Sequence, residues 1–229
     1  GALARAAYAE LRWLGIDYNL APVVDLNLNP ANPDIGAVQR AFAADAESVR
    51  ANVAVLAAAA RAVGLGLCLK HYPGLGGATV SSHEALTHLS DAPGAEQLAL
   101  FHELAPGLPG AAILVSHGIV DAWEPGIPVS MSPVALGALR RRLLDVLLLS
   151  DDLQMQGLQR CFRTGEACRR GVRAGLDLLL IGNTLLDEAG QAPDFAEGLA
   201  EAVAAEDGLA RRVQAAADRS ADALCPSGH

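Results

Sequence analysis

The residues best placed to do chemistry are two adjacent carboxylates, Asp151 and Asp152, which end the apolar run Leu147-Leu148-Leu149-Ser150 and lead into Leu153-Gln154-Met155. A short, continuously apolar run reads as a buried parallel strand, and the C-terminal end of such a strand is where α/β proteins gather reactive groups. A carboxylate held there can attack an electrophilic carbon, the nucleophile role that retaining glycosidases require. The plainer reading has one Asp capping the next helix and the other solvated. A second strand end carries complementary groups: Gly66-Leu67-Cys68-Leu69 runs into Lys70-His71-Tyr72-Pro73-Gly74-Leu75-Gly76. Lys70 offers a cation with several donors and His71 a donor or acceptor, a set that suits paired sugar hydroxyls. The glycines permit a tight turn and close backbone approach.

Positioning two strand ends side by side needs a parallel framework, and the rest of the sequence supplies one. The patterning predicts helices over residues 3–14, 45–63, 96–104, 132–144 and 166–174 and over most of 194–224. It predicts strands over 18–26, 66–71, 111–116, 146–150 and 177–181. Gly64 marks a helix end, and the pair Ser132-Pro133 marks a helix start, with Ser132 as cap and Pro133 in the first turn. A loop rich in Asn and Pro covers 27–36, and a long polar loop follows the Lys70 strand through Asp91. Helix–strand alternation argues for an α/β fold, a parallel sheet curled as a (β/α) TIM-type barrel, here a single domain over 1–229. Five recognisable strands are too few to close such a barrel. The expectation is therefore an incomplete barrel lacking its first βα units, with exposed edges open to a second copy or a strand-donating partner.

Bulk properties narrow the function classes. The 229 residues carry a net charge of −9, which argues against nonspecific nucleic-acid binding. No run of apolar residues is long enough for a membrane span, and no signal peptide is visible. The four cysteines lack the closely spaced pairs of a zinc site, and Cys68 sits inside an apolar strand. This usage is read as a reducing, cytoplasmic setting.

Taken together, these segments resemble glycoside hydrolase family 3. Lys70-His71-Tyr72-Pro73-Gly74-Leu75-Gly76 is similar to that family's K-H-F-x-G-x-G signature, and Ser150-Asp151-Asp152-Leu153-Gln154-Met155 to its S/T-D-x-L-x-M nucleophile segment, in matching order and spacing. The stretch from Gly15 to Asp25 resembles G-I-D-x-x-x-A-P-V-x-D, and Arg40-Ala41-Phe42-Ala43-Ala44-Asp45 resembles R-S-F-x-x-D. Val115-Ser116-His117 and Pro128-Val129-Ser130-Met131-Ser132 are similar to the A-H strand ending and the P-A-S/T-L-S segment. The likeness spans nearly the whole chain and is strongest to the β-N-acetylhexosaminidase branch, which removes N-acetylglucosamine from cell-wall fragments. It implies that Asp151 is the nucleophile and that Asp152 caps or orients. It further implies that Arg40, Lys70 and His71 bind the sugar, with Asp25 and His117 as further substrate-binding neighbours; a satisfied core histidine is the equal alternative for His117. No metal and no organic cofactor is implied, and the missing first units would carry an acidic sugar-binding residue.

The resemblance also exposes a departure. In that branch the general acid is a loop histidine paired with an aspartate two residues earlier. His83 matches the histidine, but the aspartate position is Ser81. A carboxylate beside an imidazole stabilises its charged form and orients it, whereas a hydroxyl orients without charge. General acid–base assistance is worth about 10²–10⁴-fold, so this change implies slower turnover unless Glu84 or Asp91 compensates. The plainer reading of His83 is an exposed loop histidine. Leu75 stands where the branch commonly has histidine and is read as a change of pocket lining. His88 and His102 are read as structural or solvated, and His229 as a tail residue. Two outcomes are carried forward. One is a retaining glycosidase on terminal β-linked N-acetylglucosamine, with phosphate in place of water left open. The other is a catalytically silent relative that binds sugar or a protein partner. A β-glucosidase type is disfavoured, because those draw the acid/base from a second domain.

Overall fold

The computed structural model describes residues 1–89, 93–182, 196, 199–204 and 206–224. The apolar runs form a parallel five-stranded sheet whose spatial order follows the chain. The strands are β1 (Tyr18–Asn19), β2 (Gly66–Tyr72), β3 (Ala112–Val115), β4 (Leu147–Asp152) and β5 (Leu178–Leu180), each parallel to the next. Helices α1 (Ala2–Trp13), α2 (Ala46–Val63), α3 (Ala95–Leu104), α4 (Pro133–Arg142), α5 (Gln156–Gln159) and α6 (Thr164–Ala174) accompany them, and helix Asp207–Leu224 is the last described element. Sequential parallel strands with helical crossovers are the repeating unit of a (β/α) barrel, so the expected incomplete barrel matches the described strands.

Local signals explain most boundaries. Asp45 caps α2 by accepting from the Ser48 amide at 2.8 Å, and Gly64 ends that helix in the left-handed region at φ 69°. Ser132 Oγ accepts from the Ala135 amide at 3.0 Å to open α4. That helix stops at Arg142, short of the expected residue 144. Arg140 Nη1 reaches past its end and donates to the carbonyls of Leu144 and Val146 at 3.0 and 2.7 Å, satisfying acceptors of the segment that connects α4 to β4. The strand expected over 18–26 is regular only at Tyr18–Asn19. Pro22 has no N–H to give a ladder, yet residues 20–25 still follow β2. Cys68 N donates to the Ala21 carbonyl at 2.9 Å, Lys70 N to Pro22 at 3.1 Å, and Val24 N to Lys70 at 2.8 Å. Of the helix expected over most of 194–224, the described residues 196 and 199–204 are helical, as is Asp207–Leu224. Asp91, Asp194, Cys225 and His229 lie outside the described residues.

Side-chain alternation along the strands separates two apolar layers. Leu67, Leu69, Ile113, Val115 and Leu148 pack with α2, α3 and α4 in the main core. Cys68, Ala112, Leu114, Leu147 and Leu149 form a second cluster on the other face, against Tyr18, Leu178 and Ala223. The last helix is tied to the sheet by charge as well. Asp177, fully buried at the start of β5, accepts from Arg219 Nη2 at 2.6 Å, from Arg140 Nη2 at 2.5 Å and from the Leu148 amide at 2.9 Å. Removing one member of a buried ionic cluster strands its partners without compensation. Asp177→Ala is therefore expected to lower unfolding free energy by about 3–5 kcal/mol, read from urea denaturation midpoints. A loss under about 1 kcal/mol, the range of exposed pairs, would show the cluster to be no anchor.

Candidate active site

The C-terminal end of β2 is organised around one buried carboxylate. Asp25, with 0% exposure, accepts from the His71 amide through both oxygens at 3.3 Å and from the Leu75 amide at 2.8 Å. The His71 ring completes the set, its Nδ1 lying 2.7 Å from Asp25 Oδ2. The opposite ring nitrogen, Nε2, is 3.2 Å from Arg40 Nη2. A guanidinium can only donate, so Nε2 accepts, and the ring proton is assigned to Nδ1 facing Asp25. His71 is thus a neutral link between a buried anion and a cation. The loop folds tightly because Gly76 has no side chain: a Cβ there would stand 1.7 Å from the Leu26 carbonyl oxygen. Leu75, expected to line a pocket, is instead buried at 2% exposure.

Lys70 projects at the same strand end. Burial and then Arg40 push its ammonium below the ordinary lysine range, while Asp151 and Asp25 oppose the shift. Lys70 thus lies within electrostatic reach of both the β2-end and the β4-end carboxylates. Cys68, one residue behind, is buried, and burial raises its thiol to about 12, a value that makes it inert.

At the end of β4 the two carboxylates have different surroundings. Asp152 Oδ1 accepts from the amides of Gln154 and Gly182 at 2.9 and 3.0 Å, so this side chain shapes the turn and ties it to the segment after β5. Asp151 is half-buried, and its Oδ1 accepts from the Asp152 amide at 2.9 Å. Ser150 Oγ accepts from the Leu180 amide at 2.8 Å, at the irregularity where the β4–β5 register shifts. His117 supports the turn from below, with Nδ1 at 2.7 Å from Ser130 Oγ and Nε2 at 3.1 Å from the Asp152 carbonyl. A carbonyl can only accept, so Nε2 donates and Nδ1 accepts from the Ser130 hydroxyl. Burial pushes this imidazole below the ordinary histidine value, against opposing attraction from Asp151 and Asp152.

The sequence-predicted site residues therefore separate by geometry. Arg40, Lys70, His71, Asp25, His117 and Asp151 are brought together at adjoining strand ends. Both ring nitrogens of His117 are occupied by protein, and Asp25 is wholly buried. These protein partners suit both residues to holding their neighbours in place. His83 lies on the loop after β2, exposed, with its amide donating to Ser81 Oγ at 3.2 Å. The loop is keyed to the segment after β4 by α5. The Gly157 amide donates to the His83 carbonyl at 3.2 Å, and a Cβ on Gly157 would stand 2.6 Å from the Ala85 carbonyl carbon. Glu84 makes no hydrogen bond through its side chain to any described residue.

Sequence reasoning passed over Asp34, Asn32 and Gln97. Asn32 Oδ1 accepts from the amides of Asp34 and Ile35 at 2.8 and 2.9 Å, and its Nδ2 donates to the Leu75 carbonyl at 2.6 Å. Gln97 donates to the Val24 carbonyl at 3.1 Å and accepts from the Leu26 amide at 2.8 Å. The Asn32-Pro33 dipeptide is a turn signal that could have drawn attention to its neighbour Asp34. A separate cleft of about 540 Å³, bounded by Glu124, Met131, Glu166 and Arg170, contains none of the predicted site residues.

Comparison with known proteins bears directly on this arrangement. Residues 2–221 match the profile of the glycosyl hydrolase family 3 N terminal domain. A beta-hexosaminidase of Methylococcus capsulatus is 32% identical over 226 residues, covering 93% of this chain and 62% of that protein. The beta-hexosaminidase LpqI of Mycobacterium tuberculosis is 32% identical over 188 residues, covering 78% of this chain and 47% of its own length. The chain thus spans less than two thirds of these relatives. The crystal structure of a β-N-acetylhexosaminidase from Beutenbergia cavernae superposes with a TM-score of 0.86 at 26% identity, covering 96% of this chain and 66% of that one. The profile match over nearly the entire length, together with this structural likeness, establishes that the chain belongs to glycosyl hydrolase family 3, in its N-terminal barrel domain.

Proposed function

We propose that the chain, as one domain over 1–229, carries the chemistry of a retaining glycosidase that removes terminal β-linked N-acetylglucosamine from cell-wall fragments. The observation that carries this reading is the contrast at the end of β4. Asp152 is held by amides from two segments, whereas Asp151 accepts from its neighbour's amide and lies within electrostatic reach of the Lys70 cation. In the first step an Asp151 oxygen bonds to the anomeric carbon, the bond from that carbon to the leaving oxygen breaks, and His83 gives that oxygen its proton. In the second step His83 takes a proton from water, the water oxygen bonds to the anomeric carbon, and the Asp151 carboxylate is released. Arg40 and Lys70 hold sugar hydroxyls beside the neutral His71 ring, and Asp25 and His117 fix the groups that do so. The relatives' names, all beta-hexosaminidases among those described above, support the substrate class.

The reading extends to setting and partners. Among the described residues, no helix is long and apolar enough to cross a membrane. The thiols of Cys68, Cys161 and Cys168 are free, which supports a reducing, cytoplasmic setting. A carbohydrate is the partner that the charge and the site favour, rather than nucleic acid. β1 ends the described sheet on one side, so pairing with a second copy or a strand-donating segment belongs to the same proposal. Sedimentation showing a monomer with no added segment would remove that part. Ser81, in place of a carboxylate, favours the second reading of a silent sugar-binding relative.

Release of nitrophenol from the nitrophenyl β-N-acetylglucosaminide separates the two. The wild-type chain is expected to turn over, and Asp151→Asn to lose at least about 10⁴-fold. Full activity in that variant removes Asp151 from the chemistry, and a folded wild type with sugar affinity but no turnover supports the silent relative. Asp25→Asn is expected to raise KM more than it lowers kcat, because it loosens His71 and Arg40 without touching the reacting atoms. An unchanged KM would end the positioning role.

A further inference from the structure

The carboxylate expected beside the acid/base histidine is absent from position 81, but another carboxylate reaches the same loop from a distant part of the chain. Asp34 Oδ1 accepts from Ser81 Oγ at 2.7 Å, and Oδ2 accepts from both the amide and the hydroxyl of Ser82 at 2.7 Å. Ser81 Oγ in turn accepts from the His83 amide at 3.2 Å. Asp34 is itself fixed, since its amide donates to Asn32 Oδ1 at 2.8 Å and its carbonyl accepts from Arg40 Nη1 at 2.9 Å.

We propose that Asp34 is a positioning residue that takes over the role of the missing loop carboxylate, locking Ser81 and Ser82 so that His83 is held in place with an anion beside it. The inference rests on the glycosidase reading of Asp151 and His83. A hydroxyl at position 81 cannot supply charge, but it can relay the position of a carboxylate whose oxygens already receive three hydrogen bonds from residues 81 and 82. Burial alone would raise the Asp34 carboxyl. The bonds from Ser81 and Ser82, with added attraction from His83, hold it below the ordinary carboxylate range. Asp34 is therefore ionised at neutral pH. Among the described residues, Glu84 is the neighbour of His83 in sequence, Arg40 is bound to the Asp34 carbonyl, His88 further along the loop pairs with Asp121 at 2.8 Å, and the packed helix Gln156–Gln159 is uncharged. The guanidinium that touches Asp34 also touches His71, so one side chain sets the β2 end and the acid/base loop relative to each other.

The test compares wild type, Asp34→Asn and the double variant Asp34→Asn/Ser81→Asp, which returns the carboxylate to position 81. With a poor leaving group, a methoxyphenyl N-acetylglucosaminide, Asp34→Asn is expected to lose about 10²-fold in kcat/KM. With a dinitrophenyl leaving group, which departs unprotonated, the loss stays within about threefold. The double variant is expected to recover most of the loss. NMR of the His83 ring gives a readout independent of turnover: its ring signals broaden as the loop loosens in Asp34→Asn and sharpen again in the double variant. Equal losses on both substrates with unchanged His83 ring signals overturn the proposal and leave Asp34 as a loop anchor only. A wild type inactive on both substrates defeats the glycosidase reading instead, and the His83 ring signals still decide the link between Asp34 and His83. Should Asp34→Asn fail to fold, Ser81→Ala cuts the relay while leaving the Ser82 bonds, and is expected to show the same leaving-group dependence in weaker form. Ionisation is checked by pH. A carboxyl depressed in the folded state stabilises above its unfolded value of about 3.9, and that contribution is lost as pH falls through the folded value. The stability gap between wild type and Asp34→Asn is expected to narrow on acidification, and a gap that stays constant overturns the ionised carboxylate.

Discussion

The site is built outward from the buried carboxylate of Asp25. An anion removed from water is tolerated only when its oxygens are filled by donors. Here the donors are the amides of His71 and Leu75 and the His71 ring. All of them belong to the end of β2 and the turn after it, so satisfying Asp25 dictates the path of that turn. The constraint then propagates: His71 presents Nε2 to Arg40, Arg40 holds the Asp34 carbonyl, and the Asp34 carboxylate holds Ser81 and Ser82. Each polar group is satisfied by the next, which is the condition under which a buried network stiffens a fold rather than weakening it.

How much of this was legible in the sequence follows from the range of each interaction. The strand ends at Lys70 and Asp151 were readable because an apolar run breaking into charge is a local pattern, and the caps Asp45, Gly64 and Ser132 were readable for the same reason. The strand over residues 18–26 was overread, because its apolar pattern says nothing of the missing N–H at Pro22. Asp34 was invisible. Its partners lie nearly fifty residues away, at |i−j| of 47 and 48, and a short segment such as Asn32-Pro33-Asp34 declares a turn rather than a partner. Asp25 and His117 were legible as candidates at strand ends, yet what each can touch depends on which of its atoms are already occupied. Spacing carries no information about that.

The side chains of Asp25 and Asp177 are both fully buried, and the difference between their partners explains why one stabilises and the other organises. Asp177, at the start of β5, is neutralised by Arg140 and Arg219, so its charge is consumed in holding the last helix to the sheet. Asp25, near the opposite ends of the strands, meets only amides and a neutral imidazole. Had Arg40 reached Asp25 directly, the pair would have cancelled as the Asp177 cluster does. The interposed His71 passes on the geometry of Asp25 without joining the two charges, and Arg40 bonds otherwise to a carbonyl. Lys70, likewise, makes no hydrogen bond through its ammonium to a described residue. The strand ends beside Asp151 therefore keep two cations whose hydrogen-bonding groups are not consumed by a carboxylate. On the glycosidase reading proposed above, that leaves both cations with donors for sugar hydroxyls beside Asp151.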